Sequence, residues 1–107
     1  MDDHLAERQN VAPKFQVTLY FQATEAFIAK VPEHRSFIND LINKGIIDSY
    51  TISMETMRGW IVMNGESKDQ IADILSKSPL FSFLSLEIDL LFVVDGLSYR
   101  LPALQLN

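Results

Sequence analysis

The sequence predicts an α+β domain in the order strand, helix, strand, strand, helix, strand. Three observations carry that prediction. Residues 14–23 alternate strictly, with Phe15, Val17, Leu19 and Phe21 on one side and Gln16, Thr18, Tyr20 and Gln22 on the other, the period of two that a half-buried strand requires. Residues 33–44 instead place Phe37, Ile38, Leu41 and Ile42 at helical spacing and stop at Gly45, a residue that readily ends a helix. Residues 86–94 return to alternation, with Leu86, Ile88, Leu90, Phe92 and Val94 sharing one side and Glu87, Asp89, Leu91 and Val93 the other.

The elements follow in chain order. Residues 1–13 are mostly polar, include Pro13 and hold no period, which reads as a loosely ordered N-terminal arm. The domain proper is expected over residues 14–96. After the first strand, Thr24 and Glu25 open a helix in which Phe27, Ile28 and Val31 keep their spacing as far as Pro32. Proline lacks the amide donor and clashes with the preceding turn, so the helix kinks or restarts there, with Pro32 suited to a first-turn position. His34 falls on the apolar stripe that follows and so points toward the core or a cavity.

Residues 46–54 and 60–63 are rich in β-branched and aromatic side chains and read as a strand pair. Glu55 to Gly59 form the loop between them, with Gly59 expected to take a positive φ. Asn64-Gly65 is a strand-to-helix connection, because Ser67 and Gln70 form a capping box ahead of Ile71, Ile74 and Leu75. That helix ends near Lys77, since Ser78 precedes Pro79 and a residue before proline avoids helical geometry. Leu80, Phe81 and Phe83 make an apolar plug before the last strand, and Asp95-Gly96 turns the chain. The tail, residues 97–107, is too rich in leucine to be a free end, and is expected to pack on the sheet edge or on a partner.

Composition narrows the function classes. The 107 residues allow one domain, and 9 Lys+Arg against 14 Asp+Glu give a net charge of −5. Basic residues scattered singly in an acidic chain speak against nucleic acid, which is held by clustered Lys and Arg. No stretch approaches the length of a membrane span, and the acidic start Met1-Asp2-Asp3-His4 is unlike a signal peptide, so a soluble cytoplasmic protein is expected. The absence of cysteine removes disulfides, thiol nucleophiles and thiolate metal sites together. His4 and His34 are far apart and form no ligand pair, the 4 glycines stand singly, and no nucleophile-elbow motif occurs. Neither metal nor cofactor is therefore expected.

The order of elements is the split βαβ arrangement of ferredoxin-like domains, with a four-stranded antiparallel sheet. Both helices must then cover one sheet face, over a core that includes Phe15, Val17, Leu19, Phe21, Phe37, Leu41, Ile71, Leu75, Ile88 and Leu90. The other face carries Gln16, Thr18, Tyr20 and Gln22 from the first strand and Glu87, Asp89, Leu91 and Val93 from the last. A face mixing polar groups with aliphatics is either a wet surface with incidental apolar residues or a sheet that meets a second sheet. The apolar tail favours the second, a homodimer or higher homo-oligomer.

Two segments also carry a family resemblance. The run Pro32-Glu33-His34-Arg35-Ser36-Phe37-Ile38, with Leu41 and Gly45, resembles the first-helix pattern of YCII-related proteins. The run Lys77-Ser78-Pro79-Leu80-Phe81-Ser82-Phe83, followed by Leu86-Glu87-Ile88, is similar to the corresponding segment and closing strand of muconolactone isomerase. Both families belong to the dimeric α+β barrel superfamily, and the resemblance covers roughly residues 14–94. It implies two ferredoxin-like sheets packed face to face around a small-molecule cavity. It also implies cofactor-independent proton transfer on a small organic acid or lactone, with the first-helix histidine as an active-site residue. Where the isomerase aligns an acidic residue in the first helix, this chain has His34.

The candidate catalytic residues are His34, Tyr20 and Glu87. An imidazole titrates near neutral pH and can shuttle a proton between carbon and oxygen. If His34 only packs, protein groups should occupy both of its ring nitrogens; if it serves a ligand, one should point into a cavity beside Tyr20 or Glu87. Tyr20 and Glu87 are expected on the open faces of neighbouring central strands, where a phenol and a desolvated carboxylate meet, or else Glu87 rides a wet rim. Trp60 and Arg58 are candidates to stack on and clamp an anionic ligand, or are a packing residue and a solvated loop residue. Two functions follow: a cofactor-free isomerase-type enzyme, or a non-catalytic small-molecule-binding or structural oligomer of the same fold.

Overall fold

The computed structural model describes residues 12–99. The arm read over residues 1–13 and the tail read over 97–107 therefore lie mostly outside the described residues. Within them the chain forms β1 (Lys14–Tyr20), α1 (Glu25–Ala29), α2 (Val31–Asn43), β2 (Ile47–Ser53), β3 (Arg58–Asn64), α3 (Lys68–Leu75) and β4 (Ser85–Leu90), with 3-10 turns at Phe81–Phe83 and Leu97–Tyr99. The strands make one four-stranded sheet in the order β2-β3-β1-β4, every neighbouring pair antiparallel. This is a small α+β domain compatible with a ferredoxin-like fold.

The sequence explains the helix boundaries. The Thr24 side chain accepts a hydrogen bond from the Phe27 amide and caps α1. That helix lasts 5 residues, and α2 restarts at Val31 with Pro32 in its first turn, where no donor is needed. Gly45 lies just past α2 at φ 76°, a conformation glycine adopts without a Cβ clash. Ser67 caps α3 by accepting from the Gln70 amide, while Gln70 Oε1 accepts from the Glu66 amide rather than from Ser67's own.

Helices α2 and α3 cover the same sheet face, α2 against β2 and α3 against β4. The main core joins Phe15, Val17 and Leu19 of β1 to Ile38 and Leu41 of α2 and Ile71 and Leu75 of α3. A smaller cluster closes one end: Phe21 stacks on Phe27 with ring centres 4.9 Å apart, Phe27 meets the edge of Phe83, and Leu80 is buried beside them.

Four expectations need correction. Strand β1 ends at Tyr20 rather than at residue 23, although Phe21 stays buried and its amide still donates to Met57 O. Strand β4 ends at Leu90 rather than at Val94: Phe92 is fully exposed, Leu90 is 61% exposed, and neither belongs to the core. β4 is an edge strand with a neighbour on one side only, so alternation alone misjudges its burial. Phe37 and Ile88 are only partly buried against the core, and Ile42 is exposed.

The fourth correction concerns the hairpin. The left-handed residue is Met57, at φ 54°, and Gly59 lies inside β3. There Gly59 pairs with Ile52 on one side and Leu19 on the other. A Cβ on it would come within 2.5 Å of Ile52 Cδ1, so the glycine serves a close approach and not a turn.

Candidate functional site

The sheet separates the candidate residues into two groups. His34 projects from the first turns of α2 into the helix–sheet layer and is 5% exposed. Its Nδ1 lies 2.7 Å from Ser78 Oγ and its Nε2 lies 2.9 Å from the Tyr50 hydroxyl. Ser78 Oγ also accepts a hydrogen bond from the Leu80 amide at 3.0 Å. Protein groups thus occupy both ring nitrogens, as expected of a packed histidine, and no nitrogen points into a cavity beside Tyr20 or Glu87.

Burial, with the Arg35 charge second, holds the His34 imidazole below the ordinary histidine range. Burial likewise pushes the Tyr50 phenol up, against a smaller opposing effect of Arg35, whose guanidinium stands 5.4 Å from the Tyr50 ring centre. Both groups are neutral at pH 7, so the trio is an uncharged chain of hydrogen bonds inside the helix layer.

A cleft of ≈ 180 Å³ opens above this trio at the end of the sheet where α1 and α2 meet. Its walls are otherwise apolar, including Leu19, Phe27, Leu80 and Leu84. Ile28, Val31, Ile52 and Met54 also line it and remain exposed, so its mouth is a hydrocarbon rim. The sheet parity places Tyr50 here: Tyr50 pairs with Ile61 and Ile52 with Gly59, both on the helix side. A bulge at Asp48 lets Ile47 face the same way despite its odd spacing.

The other candidates gather on the open face. Register places Tyr20 beside Arg58 and Ser85, and Thr18 between Trp60 and Glu87. The Tyr20 hydroxyl donates to Glu87 Oε1 at 2.7 Å, and the Arg58 guanidinium lies 5.4 Å from the Tyr20 ring centre. The Tyr20 phenol is raised chiefly by that bond to the carboxylate, then by desolvation and the Glu87 charge, with Arg58 opposing. Glu87 is exposed and belongs to an edge strand, not to a central one as expected. Four of the five candidates thus share one surface, and His34 stands behind the sheet.

The two polar partners of His34, Tyr50 in the cleft wall and Ser78 behind the ring, were not among the sequence candidates. Residues 46–54 read as a strand without a settled side for Tyr50, and Ser78 reads as a helix stop before proline. Counting by two back from Ile52 places Tyr50 on the apolar side, which is the signal that could have found it. At the far end of the open face Lys14 Nζ donates to Asn64 Oδ1 at 2.7 Å and pairs with Asp48, and it stands 5.3 Å from the Tyr99 ring centre.

Among the described residues no cluster of three or more His, Asp or Glu side chains is placed to hold a metal ion, and no helix is long and apolar enough to cross a membrane. No known family model matches the chain, and no curated protein matches it.

Proposed function

We propose that the protein is a small-molecule-binding homodimer of the dimeric α+β barrel type, and that each chain holds its ligand in the cleft above His34. The observation that carries this reading is the His34–Tyr50 pair set into the wall of a cleft that is otherwise hydrocarbon. Ligand pockets have this make-up: mostly apolar walls with a few fixed polar groups that orient the bound molecule. Ser78 holds the imidazole from behind, which fixes the orientation in which the ring meets Tyr50.

The dimer part of the proposal is supported by the open face. Thr18 is nearly buried there by its own neighbours, half-buried Trp60 and Val62 lie on the same side, and Arg58 stands two strands from Glu87. A two-fold contact between copies is self-complementary, so a face bearing both signs of charge around apolar groups suits it.

A second reading is cofactor-free proton transfer on a lactone or small organic acid, the isomerase-type chemistry the resemblance to muconolactone isomerase implies. The connected bonds of Tyr50, His34 and Ser78 favour it, since the phenol can take a ligand's proton as its own proton passes to the neutral imidazole, which later returns it by the same path. The placement of Tyr20 and Glu87 behind the sheet removes two of the three expected catalytic groups from this cleft.

The test is the imidazole and Tyr50 resonances followed by NMR during titration with small lactones and carboxylates. Binding in the cleft moves both, and His34→Ala weakens it. Resonances that ignore every compound, with a His34→Ala variant that binds them unchanged, would end the cleft reading. Exchange of a bound lactone's acidic C–H for deuterium separates catalysis from binding alone. Sedimentation as a monomer at micromolar concentration would remove the dimer.

A further inference from the structure

We propose that the cleft selects an uncharged, one-ring organic molecule bearing a single hydroxyl or carbonyl oxygen, and that it excludes the corresponding carboxylate. This inference rests on the cleft being the ligand site and specifies what that site takes.

Three observations lead to it. The first is size. The cleft measures ≈ 180 Å³, and an apolar protein cavity of about 150 Å³ accommodates benzene. One ring with a small substituent fills it, while a two-ring molecule must extend over the rim.

The second is charge. Among the described residues no lysine, arginine, aspartate or glutamate lines the cleft, and the titratable groups that do are His34 and Tyr50. The imidazole nitrogens are committed to Ser78 and Tyr50, and burial disfavours the imidazolium. A carboxylate entering this space would give up part of its water and meet no cation of the described lining, an arrangement that burial penalises. Arg35 faces Tyr50 but is not part of the cleft lining.

The third is the hydrogen-bonding capacity left over. Ser78 Oγ accepts from the Leu80 amide, so its own proton is free to go to His34 Nδ1. In that tautomer Nε2 donates to the Tyr50 oxygen, and the Tyr50 proton remains to donate to a ligand oxygen. In the opposite tautomer Tyr50 donates to Nε2 and its oxygen accepts from a ligand hydroxyl. Either way the trio offers the ligand one bond at one atom, the Tyr50 hydroxyl. A ring with one hydroxyl or carbonyl oxygen satisfies it and places the rest of its surface against Phe27, Leu80 and Leu84.

The experiment uses phenol, cyclohexanone and benzoate as probes at pH 7.5, read by methyl chemical shifts of Ile28, Ile52 and Met54 on the full chain. Phenol and cyclohexanone are expected to shift these methyls saturably, with benzoate at least tenfold weaker. Tyr50→Phe should cost phenol about 3–10-fold in affinity, the range expected for one hydrogen bond. Should Tyr50→Phe fail to fold, Val31→Trp plugs the rim without touching the hydrogen-bonded trio and should abolish the shifts. Benzoate binding as tightly as phenol, with the same methyls moving, overturns the neutral-ligand proposal and leaves the cleft as the site. No saturable shift with any of the three overturns the cleft as the site, and this proposal with it.

Discussion

Ser78→Ala tests whether the hydroxyl holds the imidazole in place. Removing one oxygen leaves two groups without their partner: the Leu80 amide, now 3.0 Å from Oγ, and His34 Nδ1, now 2.7 Å from it. Ser78 is 7% exposed and His34 5%, so water does not simply replace the lost partner. Each unsatisfied buried group costs about 1–3 kcal/mol, which puts the loss at about 2 kcal/mol even at the lower end. For a domain of this size about 1 kcal/mol corresponds to 4–8 °C in Tm, so Tm should fall by about 8–16 °C. Tyr50→Phe removes one partner from a half-buried position that solvent reaches, and should cost under about 1.5 kcal/mol. Urea unfolding and calorimetry at fixed protein concentration measure both, the concentration being held because dimerisation shifts apparent stability. If Ser78→Ala costs less than Tyr50→Phe, or under about 0.5 kcal/mol, Ser78 does not pin His34 and the argument for a preset polar pair fails.

Other outcomes follow from the same structure. Because the folded chain holds His34 below the ordinary histidine range, the unfolded chain binds the proton first as pH falls. Stability should be level above about pH 6.5 and decline below it until the folded imidazole also protonates. Subtracting the profile of His34→Asn isolates this effect, and a difference curve that rises toward acid contradicts it. Ile38→Ala and Ile71→Ala, at side chains with no exposure, should each cost about 2–5 kcal/mol. Leu90→Ala should cost under about 0.5 kcal/mol in the monomer, and equal losses would place Leu90 back in the core. Gly59→Ala should cost about 1–3 kcal/mol by overpacking. Its Cβ would meet the Ile52 tip, which can move, and the Thr51 carbonyl at 3.1 Å, which is backbone. A neutral result would mean the hairpin adjusts freely.

Most of the fold is legible because its physical signals are local. Alternation in β1, the proline restart of α2 and the Ser67 cap of α3 each act within a few residues, and each places an element correctly. What is not legible depends on neighbours distant in sequence. Leu90 continues the alternation of Leu86 and Ile88, yet it ends an edge strand and is exposed, which depends on what packs over that edge and not on its own spacing. Gly59 looks like a turn glycine because turns favour glycine, but its role is set by Leu19 and Ile52 on the two flanking strands. The bulge at Asp48 is of the same kind: nothing within residues 46–54 marks it, and it is fixed by pairing with β3.

The candidate site follows a stricter logic. Alternation places Tyr20 opposite the core residues Leu19 and Phe21, and Glu87 opposite Leu86 and Ile88, so both belong to the face the helices leave open. The apolar stripe places His34 on the helix side facing the sheet. These two inferences already forbid one chain from bringing His34 to Tyr20 or Glu87, because a continuous hydrogen-bonded sheet lies between them. The family resemblance implied a role for His34 alone, Tyr20 and Glu87 having come from the open face, and parity rules out joining the three in one cluster, since it follows from backbone geometry. Applied to the other strands, it also brings Trp60 and Arg58 to the Tyr20 face and sends Tyr50 to His34. The partner of a helix residue in this architecture is therefore to be sought among the inward positions of the strand beneath it, which for His34 is β2 and for its hydroxyl is Tyr50.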